Sequence, residues 1–406
     1  MSLNDTVRAD RIHIGFFGRR NAGKSSLVNA VTDQEMAIVS DVKGTTTDPV
    51  YKSMELLPLG PVVIIDTPGY DDIGELGSLR VLRTTQVMNK TDIGILVIDS
   101  VEGVAQDDID IYKLLKKKNI PFIVVFNKCD SENIDIDLLV DNLIYLTGEE
   151  FKYISVSSTL KINIFELKEM IGSMKPSISG RRLVADLISS KDMLILVMPQ
   201  DEAAPKGRLI LPQVQMIRDI LDEHSMALCV QTEELKSALD SLKENPKLVI
   251  TDSQVFKICA EIVPQEILLT SFSILLARYK GYLDSALRGI KAIQNLKPSD
   301  KVLIAEGCTH HRQCNDIGTV KIPNWLKTKL GFEVNFETCS GNEFPDDLSA
   351  YKAVIHCGGC MLSEREIGYR IKCASDQGVP VTNYGILIAY IQGILDRSIK
   401  IFDKSL

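Results

Sequence analysis

The stretch "HIGFFGRRNAGKSSL", residues 13–27, decides the fold of the first part of this 406-residue chain. An apolar run is followed by glycines at 18 and 23 and then by Lys24 and Ser25, which is the spacing of a phosphate-binding loop between a strand and a helix. The glycines let backbone N–H groups turn towards phosphate oxygens. Lys24 brings a point charge to the β and γ phosphates, and the Ser25 hydroxyl is a ligand for Mg²⁺. The pattern therefore predicts a nucleotide site.

Two further segments supply groups for the γ-phosphate and its metal ion. Thr46, in "KGTTTD", is placed to cap Mg²⁺ and the γ-phosphate. Asp66 and Gly69 lie in "DTPG", directly after the apolar run "VVIID". The carboxylate of Asp66 can hold the water shell of the metal ion, and the backbone N–H of Gly69 can reach the γ-phosphate.

Two more segments point to the base. Asn127, Lys128 and Asp130 end the run "FIVVFN", and Ser157 and Ser158 follow "YISV". A carboxylate at Asp130 can accept two hydrogen bonds from guanine, which adenine does not offer. All these segments follow predicted parallel strands, and the carboxyl ends of such strands bind the ligand of an open α/β sheet.

In this order the segments resemble the five nucleotide-binding motifs of translation-factor-type GTPases, over roughly the first 170 residues. The resemblance implies catalytic roles for Lys24, Thr46, Asp66 and Gly69. It also implies that GTP or GDP and Mg²⁺ are bound by Gly18, Asn21, Ala22, Gly23, Lys24, Ser25, Ser26, Thr46, Asp66, Gly69, Asn127, Lys128, Asp130, Ser157 and Ser158.

Residues in the phosphate-binding loop and in the switch segments indicate which kind of GTPase the chain resembles. Asn21 resembles the asparagine of potassium-activated GTPases, in which its carboxamide helps to hold K⁺ in place of an arginine finger. Tyr70 stands where Ras-like enzymes carry the glutamine that positions water. Glu75 is a weaker candidate for orienting water, and a surface carboxylate is the favoured interpretation. The switch segment carries a threonine at 47, where the family pattern has arginine.

The chain divides into three predicted α/β domains. Short apolar runs alternate with helical patterns from 12 to 172, and "GSMKPSISGRR" is a linker, so residues 1–175 form a P-loop GTPase domain. Residues 183–265 carry the strand-like runs "DMLILVMP", "MALCVQ" and "KLVITDS" without a catalytic constellation, which suggests a small domain for subunit contact. A third α/β domain covers 266–406, beginning with a long helical segment before "KVLIAEGC".

The third domain holds a candidate metal site. Cys308 and His310 follow one predicted strand, and "HCGGC", His356 to Cys360, follows another. Cys357 and Cys360 in a Cys-x-x-Cys pattern can hold one metal centre between two thiolates. From the residues alone three interpretations stay open: a structural zinc site, a redox dithiol, and an iron–sulfur cluster held by Cys308, Cys357 and Cys360.

The composition of the chain indicates its cellular compartment and the partners it is not expected to bind. Nine cysteines, odd in number and widely spaced, favour a reducing compartment, and the N-terminus has no apolar signal sequence. No run reaches the roughly 18–20 apolar residues that span a bilayer. We therefore expect a cytoplasmic protein without a membrane partner. The net charge of −8 disfavours nucleic-acid binding.

The whole chain resembles the FeFe-hydrogenase maturation GTPases, the HydF family, through the two cysteine segments and through "CTHHRQCNDIGTVKIP" and "VPVTNYGI". The resemblance implies a dimerisation domain, an iron–sulfur cluster-binding domain and a 4Fe–4S cluster ligated by Cys308, Cys357 and Cys360. The fourth ligand stays open among His310, His356 and a carboxylate such as Asp316.

The resemblance also implies a function. The family is a homodimeric scaffold that receives a diiron subcluster precursor from radical maturation enzymes and delivers it to apo-FeFe-hydrogenase. The alternative is a metal-regulated switch GTPase whose zinc or redox cysteine site is structural or sensing. An RNA-modification GTPase shares the potassium-type loop, but the acidic balance counts against it.

Overall fold

The structure is a computed structural model, and the residues it describes are 11–33, 49–70, 83–174, 181–199, 209–307, 316–341 and 343–403. Five residues discussed above lie outside these ranges: Thr46, Thr47, Glu75, Cys308 and His310. The chain divides into two compact units, Met1–Ser179 and Gly180–Leu406.

The first unit is built on a six-stranded sheet in the order β2-β3-β1-β4-β5-β6. Strand β2 pairs antiparallel with β3, and the other pairs are parallel. This confirms the predicted P-loop α/β fold. The strands are β1 (Ile12–Phe17), β2 (Val50–Leu56), β3 (Gly60–Asp66), β4 (Ile93–Asp99), β5 (Phe122–Asn127) and β6 (Tyr153–Val156).

Edge strand β2 was not predicted from the sequence. Its residues, "VYKSMEL", alternate between more and less buried positions and include polar side chains, so they form no apolar run. Lys52 is nevertheless buried, and its Nζ donates to Thr32 Oγ1 at 2.8 Å. Burial lowers the pKa of Lys52.

Two apolar clusters cover the two faces of this sheet. Successive side chains of a strand point to opposite faces. Ile14 and Phe16 accordingly lie in one cluster and Phe17 in the other. Because β1, β3, β4, β5 and β6 are parallel, their carboxyl ends lie at the same edge of the sheet. The helices of this unit are α1 (Lys24–Thr32), α2 (83–88), α3 (Gln106–Lys117), α4 (Ile136–Thr147) and α5 (Ile164–Ser173).

The second unit contains two four-stranded parallel sheets, in the orders β10-β9-β7-β8 and β12-β11-β13-β14. β10 follows the division expected at residue 265, yet it pairs with β9 in the earlier sheet. The four residues of β10, Leu268–Ser271, are too few to carry a period that separates strand from helix. The strands are β7 (Met193–Val197), β8 (Met226–Val230), β9 (Leu248–Thr251), β10 (Leu268–Ser271), β11 (Lys301–Glu306), β12 (Asn335–Ser340), β13 (Ala353–His356) and β14 (Val381–Asn383).

The two sheets of this unit share a strand order and a strand-to-helix junction. If the strands of each sheet are numbered in chain order, both sheets run 2-1-3-4. The last strand of each passes directly into an eight-residue helix, α9 (Phe272–Tyr279) or α13 (Tyr384–Ile391). The junctions are alike in sequence, "LTSFSILLARY" at 269–279 and "VTNYGILIAYI" at 381–391. Each helix is capped by the last strand residue: Ser271 accepts from Ile274 N–H and Asn383 from Ile386 N–H.

One apolar core joins both sheets, because buried residues from β7, β9, β10, β11 and β13 belong to the same cluster. The two junctions meet at matching positions, since a Cβ added at Gly385 would lie 2.5 Å from the Cβ of Ser273. The other helices are α6 (Leu211–Asp222), α7 (Leu235–Ser241), α8 (Phe256–Ile262), α10 (Leu283–Gln294), α11 (Ile322–Leu330), α12 (Glu364–Asp376) and α14 (Leu395–Ile399).

Candidate functional site

The predicted phosphate-binding loop connects β1 to α1, as its pattern requires. Gly18 and Gly23 have φ angles of 151° and 84°. A Cβ at Gly18 would lie 2.2 Å from the carbonyl oxygen of Val97, and one at Gly23 would lie 2.2 Å from Asn127 Nδ2. Both positions therefore exclude a side chain, which explains why glycine stands at each.

Lys24 and Ser25 occupy the first turn of α1. Lys24 is buried, and its Nζ donates to the carbonyl oxygens of Gly18 at 3.0 Å and Arg19 at 2.7 Å. These bonds hold the ammonium group along the inside of the loop. A cation in this place, at the N-terminus of a helix, suits a bound phosphate.

Asp66, at the end of β3, faces Ser25. The Ser25 hydroxyl donates to Asp66 Oδ2 at 2.5 Å. Among the described residues, the buried Asp66 Oδ1 has no hydrogen-bond partner. Burial raises the pKa of Asp66, while Ser25 and Lys24 oppose this shift. A carboxylate with an open oxygen beside a hydroxyl fits Mg²⁺, which prefers oxygen ligands.

Asn127 links the phosphate loop to the predicted base site. Its Nδ2 donates to the carbonyl oxygen of Ala22 at 3.0 Å, and its Oδ1 accepts the backbone N–H of Ser158 at 3.2 Å. Lys128, with a φ of 65°, donates from Nζ to Asp99 Oδ2 at 2.5 Å. Three of the predicted segments therefore share one hydrogen-bond network.

The two predicted serines differ in environment. Ser157 is fully buried, and its Oγ accepts the backbone N–H of Leu160 at 3.0 Å, so this hydroxyl stabilises the local turn. Ser158 is half-buried and lies beside the loop. Asp130 is exposed and has no ion pair or hydrogen bond to a described residue. Its carboxylate is therefore open to a base.

Tyr70 does not point towards the phosphates. Its backbone N–H donates to the carbonyl oxygen of Gly18 at 3.1 Å, and its side chain is 9% exposed within the apolar cluster of one sheet face. The ring is therefore part of the core. No water-positioning side chain stands at this place in the described part of the switch.

Arg19 makes a contact that sequence reasoning missed. Its Nε lies 2.9 Å from Asp108 Oδ2, and its Nη2 donates to the carbonyl oxygen of Gly103 at 2.6 Å. Asp108 is fully buried, and burial raises its pKa to about 6 against the lowering effect of the Ala105 N–H and Arg19. The pair ties the phosphate loop to the start of α3. No motif relates two residues so far apart in sequence.

The second unit brings the Cys-x-x-Cys pattern to the end of β13. Cys357 Sγ accepts the backbone N–H of Gly307 at 3.0 Å and of Gly359 at 3.4 Å. Gly307 directly precedes Cys308 in sequence. Two N–H donors aimed at one sulfur stabilise a thiolate and are typical of cluster ligands.

Side chains that follow or belong to both sheets of this unit lie near these cysteines. Lys280, which is buried, donates from Nζ to the carbonyl oxygen of Leu362 at 3.0 Å. Burial raises the pKa of Cys360, and the charge of Lys280 opposes that rise. Tyr384, at the start of α13, donates to Glu306 Oε1 at 3.2 Å. Burial, together with the neighbouring Cys357 and Glu306, raises the pKa of Tyr384.

His356, a candidate fourth ligand, has both ring nitrogens engaged. Nδ1 lies 2.8 Å from the carbonyl oxygen of Cys357, and Nε2 lies 3.2 Å from Arg370 Nη1. The carbonyl requires a proton on Nδ1, so Nε2 accepts from Arg370. Burial first, and the charge of Arg370 second, lower the pKa of His356 to about 3. In this arrangement the imidazole is neutral and has no nitrogen open to a metal ion.

Asp316, the other described candidate, is also engaged. Its Oδ2 accepts the backbone N–H and the hydroxyl of Thr319, both at 2.8 Å, which caps the π-helical turn Ile317–Lys321. Within the described residues no three His, Cys, Asp or Glu side chains are grouped to hold a metal ion. Cys308 and His310 are outside that search. No helix in the described ranges is long and apolar enough to cross a membrane.

Three family models match the chain. One described as a 50S ribosome-binding GTPase covers residues 13–128. The hydrogen maturase F dimerization domain covers 183–281, and the hydrogen maturase F tetramerization domain covers 284–401. The last two together account for more than half of the chain. The chain belongs to the hydrogen maturase F family.

The family assignment confirms the resemblance seen in the sequence, and it places a GTPase domain before the two maturase domains. The third domain, expected to bind a cluster, matches a model named for tetramerization. The name of this model points to an assembly larger than the expected dimer.

Curated GTPases from other organisms align with part of this hydrogen maturase F chain. The tRNA modification GTPase MnmE of Caldicellulosiruptor saccharolyticus is 28% identical over 252 residues, which is 61% of this chain and 50% of that protein. GTPase Der of Nautilia profundicola is 35% identical over 185 residues, 43% of this chain and 39% of its own length. The chain thus spans half or less of the relatives it matches.

Among solved structures, a variant of Aquifex aeolicus Era bound to GDP and AlF4⁻ aligns with 22% identity and a TM-score of 0.36. The alignment covers 54% of this chain and 92% of that one.

Proposed function

We propose that this hydrogen maturase F chain is a GTP-hydrolysing scaffold. It binds a 4Fe–4S cluster and assembles or delivers the diiron subcluster of the FeFe-hydrogenase active site. The observation that carries the proposal is the pair of backbone N–H groups on Cys357 Sγ, one of them from Gly307, the residue before Cys308.

GTP binding follows from the first unit. The loop amides and Lys24 hold the phosphates, Asp130 selects guanine, and Ser25 with Asp66 holds Mg²⁺, which offsets phosphate charge when bound. Asn21 is exposed, has a φ of 63°, and makes no hydrogen bond to a described residue. Its free carboxamide oxygen is a suitable ligand for K⁺.

Cluster binding follows from the second unit. Cys357 and Cys360 supply two thiolates from the turn after β13, and Cys308 supplies the third from the segment after β11. Because His356 and Asp316 are engaged with neighbouring residues, His310 is the favoured candidate near the fourth position. A cluster held by three thiolates supplies one iron at which a precursor can be exchanged.

Partners follow from the family. The scaffold receives its cargo from radical maturation enzymes and delivers it to apo-FeFe-hydrogenase in the cytoplasm, as a homodimer or a larger assembly built from dimers. GTP and GDP set the affinity for these partners. A ligand shifts such an equilibrium only through its differential affinity for the two states. Equal partner affinities with GTP and with GDP would contradict this coupling.

Anaerobic reconstitution with ferrous iron and sulfide tests the cluster. We expect about four iron and four sulfide per wild-type chain. Cys308→Ala, Cys357→Ala and Cys360→Ala should each lose most of this iron and fail to activate apo-hydrogenase. Cys229→Ala, at an exposed position on β8, is the matched control and should retain it. One zinc per chain without iron would instead support the zinc-regulated switch.

A further inference from the structure

The phosphate loop contains two adjacent arginines with opposite environments. Arg19 is bound to Asp108, Glu102 and the carbonyl oxygen of Gly103. The side chain of Arg20 is half-buried and makes no hydrogen bond or ion pair with any described residue. The first arginine stabilises the loop, whereas the second adds to the phosphate-binding loop a positive charge that has no ion-pair partner in the described ranges.

Arg20 is packed closely against Gly69. A Cβ built on Gly69 would lie 2.6 Å from the Cα, 2.8 Å from the Cβ and 2.8 Å from the backbone nitrogen of Arg20. Gly69 is the residue whose N–H is assigned to the γ-phosphate above. The backbone of Arg20 is thus packed against this residue, and its side chain begins next to the group expected to reach the γ-phosphate.

The described part of the site shows no side chain that positions the attacking water. The ring of Tyr70 is packed into the core, so it does not position water. Positive charge placed beside the transferring phosphoryl group is worth on the order of 10³–10⁵ in rate when an arginine finger supplies it. A guanidinium attached to the loop itself would not depend on a partner protein.

We infer that Arg20 is a catalytic residue that contacts the γ-phosphate of bound GTP in cis. The inference rests on the proposed GTPase activity. Water attacks the γ-phosphorus, the bond to the β–γ bridging oxygen breaks, and GDP leaves with that electron pair. The proton of the attacking water passes to the released phosphate. Arg20 transfers no proton, since a guanidinium stays charged, and it stabilises the negative charge on the equatorial oxygens.

The effect of Arg20 on the hydrolysis rate can be distinguished from that of K⁺. A covalently attached charge is present at every K⁺ concentration, whereas a cation held by Asn21 is not. The wild-type chain should therefore keep a residual GTP hydrolysis rate when K⁺ is replaced by Li⁺. Arg20→Ala should lose this residual rate, and Arg20→Lys should restore part of it.

The experiment measures kcat for GTP in K⁺ and in Li⁺, together with the affinities for GDP and for GDP with aluminium fluoride. For Arg20→Ala we expect kcat to fall at least about tenfold in both salts, at the low end of arginine-finger effects. GDP affinity should stay within about twofold, and the tighter binding of the aluminium fluoride complex should be lost. A purely structural role would lower GDP affinity in parallel.

Two results would overturn the assignment: an Arg20→Ala chain that hydrolyses GTP like the wild type, or a parallel loss of GDP affinity that accounts for the fall in kcat. A wild-type chain that binds GTP without hydrolysing it in either salt would overturn the GTPase proposal itself. That outcome is distinct, because it is read from the wild type alone.

Discussion

Asn127 joins the two halves of the nucleotide site, since its side chain donates to the carbonyl oxygen of Ala22 and accepts the backbone N–H of Ser158. The amide group is thereby fixed in place directly over Gly23. A Cβ at Gly23 would lie 2.2 Å from Asn127 Nδ2, which cannot move without losing these bonds.

Gly23→Ala should therefore weaken GDP binding by more than about tenfold, because a lost hydrogen-bond network costs more than about 1.4 kcal/mol. Titration calorimetry measures this. Gly148→Ala is the matched control, because Gly148 has a similar φ of 74° but open space around its Cβ position. It should cost about 1 kcal/mol of stability from backbone strain alone and leave GDP affinity unchanged. Equal affinities in both variants would contradict the role of Asn127.

Asp130→Asn should change base selectivity. In the proposed complex the exposed carboxylate accepts two hydrogen bonds from guanine, and an amide replaces one acceptor with a donor. GDP affinity should fall at least about tenfold, since hydrogen bonds to a charged group are worth about 1.5–3 kcal/mol. XDP affinity should rise, because xanthine presents a carbonyl where guanine presents an amino group. Competition binding compares the two nucleotides. Glu132→Gln, at a neighbouring exposed carboxylate, should alter neither.

Lys280→Met tests the electrostatics around Cys360. The change keeps the apolar stem and removes the charge that opposes the burial-induced rise in the pKa of Cys360. The thiolate fraction in the metal-free chain should fall, and with it the rate of alkylation by iodoacetamide, by about threefold or more at about pH 8. Mass spectrometry of the Cys360 peptide gives the rate. Lys291→Met, an exposed position on α10, is the control. An unchanged rate would show that Lys280 does not act on this thiol.

His356 should make the metal-free chain less stable in mild acid. The folded pKa is lowered from 6.5 to about 3, so between these values the unfolded chain binds more protons than the folded one. The contribution of His356 to the free energy of unfolding is therefore fully present above about pH 6.5 and decreases as the pH falls. From pH 7.5 to pH 5 the free energy of unfolding should fall by about 2 kcal/mol. Urea unfolding at several pH values measures the slope.

His356→Gln should flatten that slope, whatever its effect on absolute stability. His224→Gln, at an exposed position, serves as the comparison and should retain the slope. A slope that persists in His356→Gln would assign the acid sensitivity to other groups.

The nucleotide site was largely predictable from sequence because its residues form short contiguous motifs at strand ends. Lys24, Ser25, Asp66 and Asn127 all lie where the motifs imply. The environment of Ser157 was not predictable, because its burial depends on a turn that returns to it. Parallel strands were recognised as apolar runs, whereas β2 is half-exposed and has no such run.

Long-range contacts could not be deduced in this way. Arg19 with Asp108, and His356 with Arg370, are pairs whose partners lie on separate elements or on the far side of a loop. No local periodicity encodes them. The duplicated strand-to-helix junction was detectable, because residues 269–279 and 381–391 align without gaps. Comparing the chain with itself at long spacing would have placed β10 in the earlier sheet.

In the proposed scaffold, three cysteines hold a 4Fe–4S cluster with one exchangeable iron. The most direct test is the EPR spectrum of the reconstituted, reduced wild-type chain before and after isotopically labelled cyanide is added. We expect a 4Fe–4S signal that acquires hyperfine coupling to the label, since cyanide binds the iron that lacks a thiolate. A cluster signal without any coupling, or a chain that takes up no iron, would contradict it.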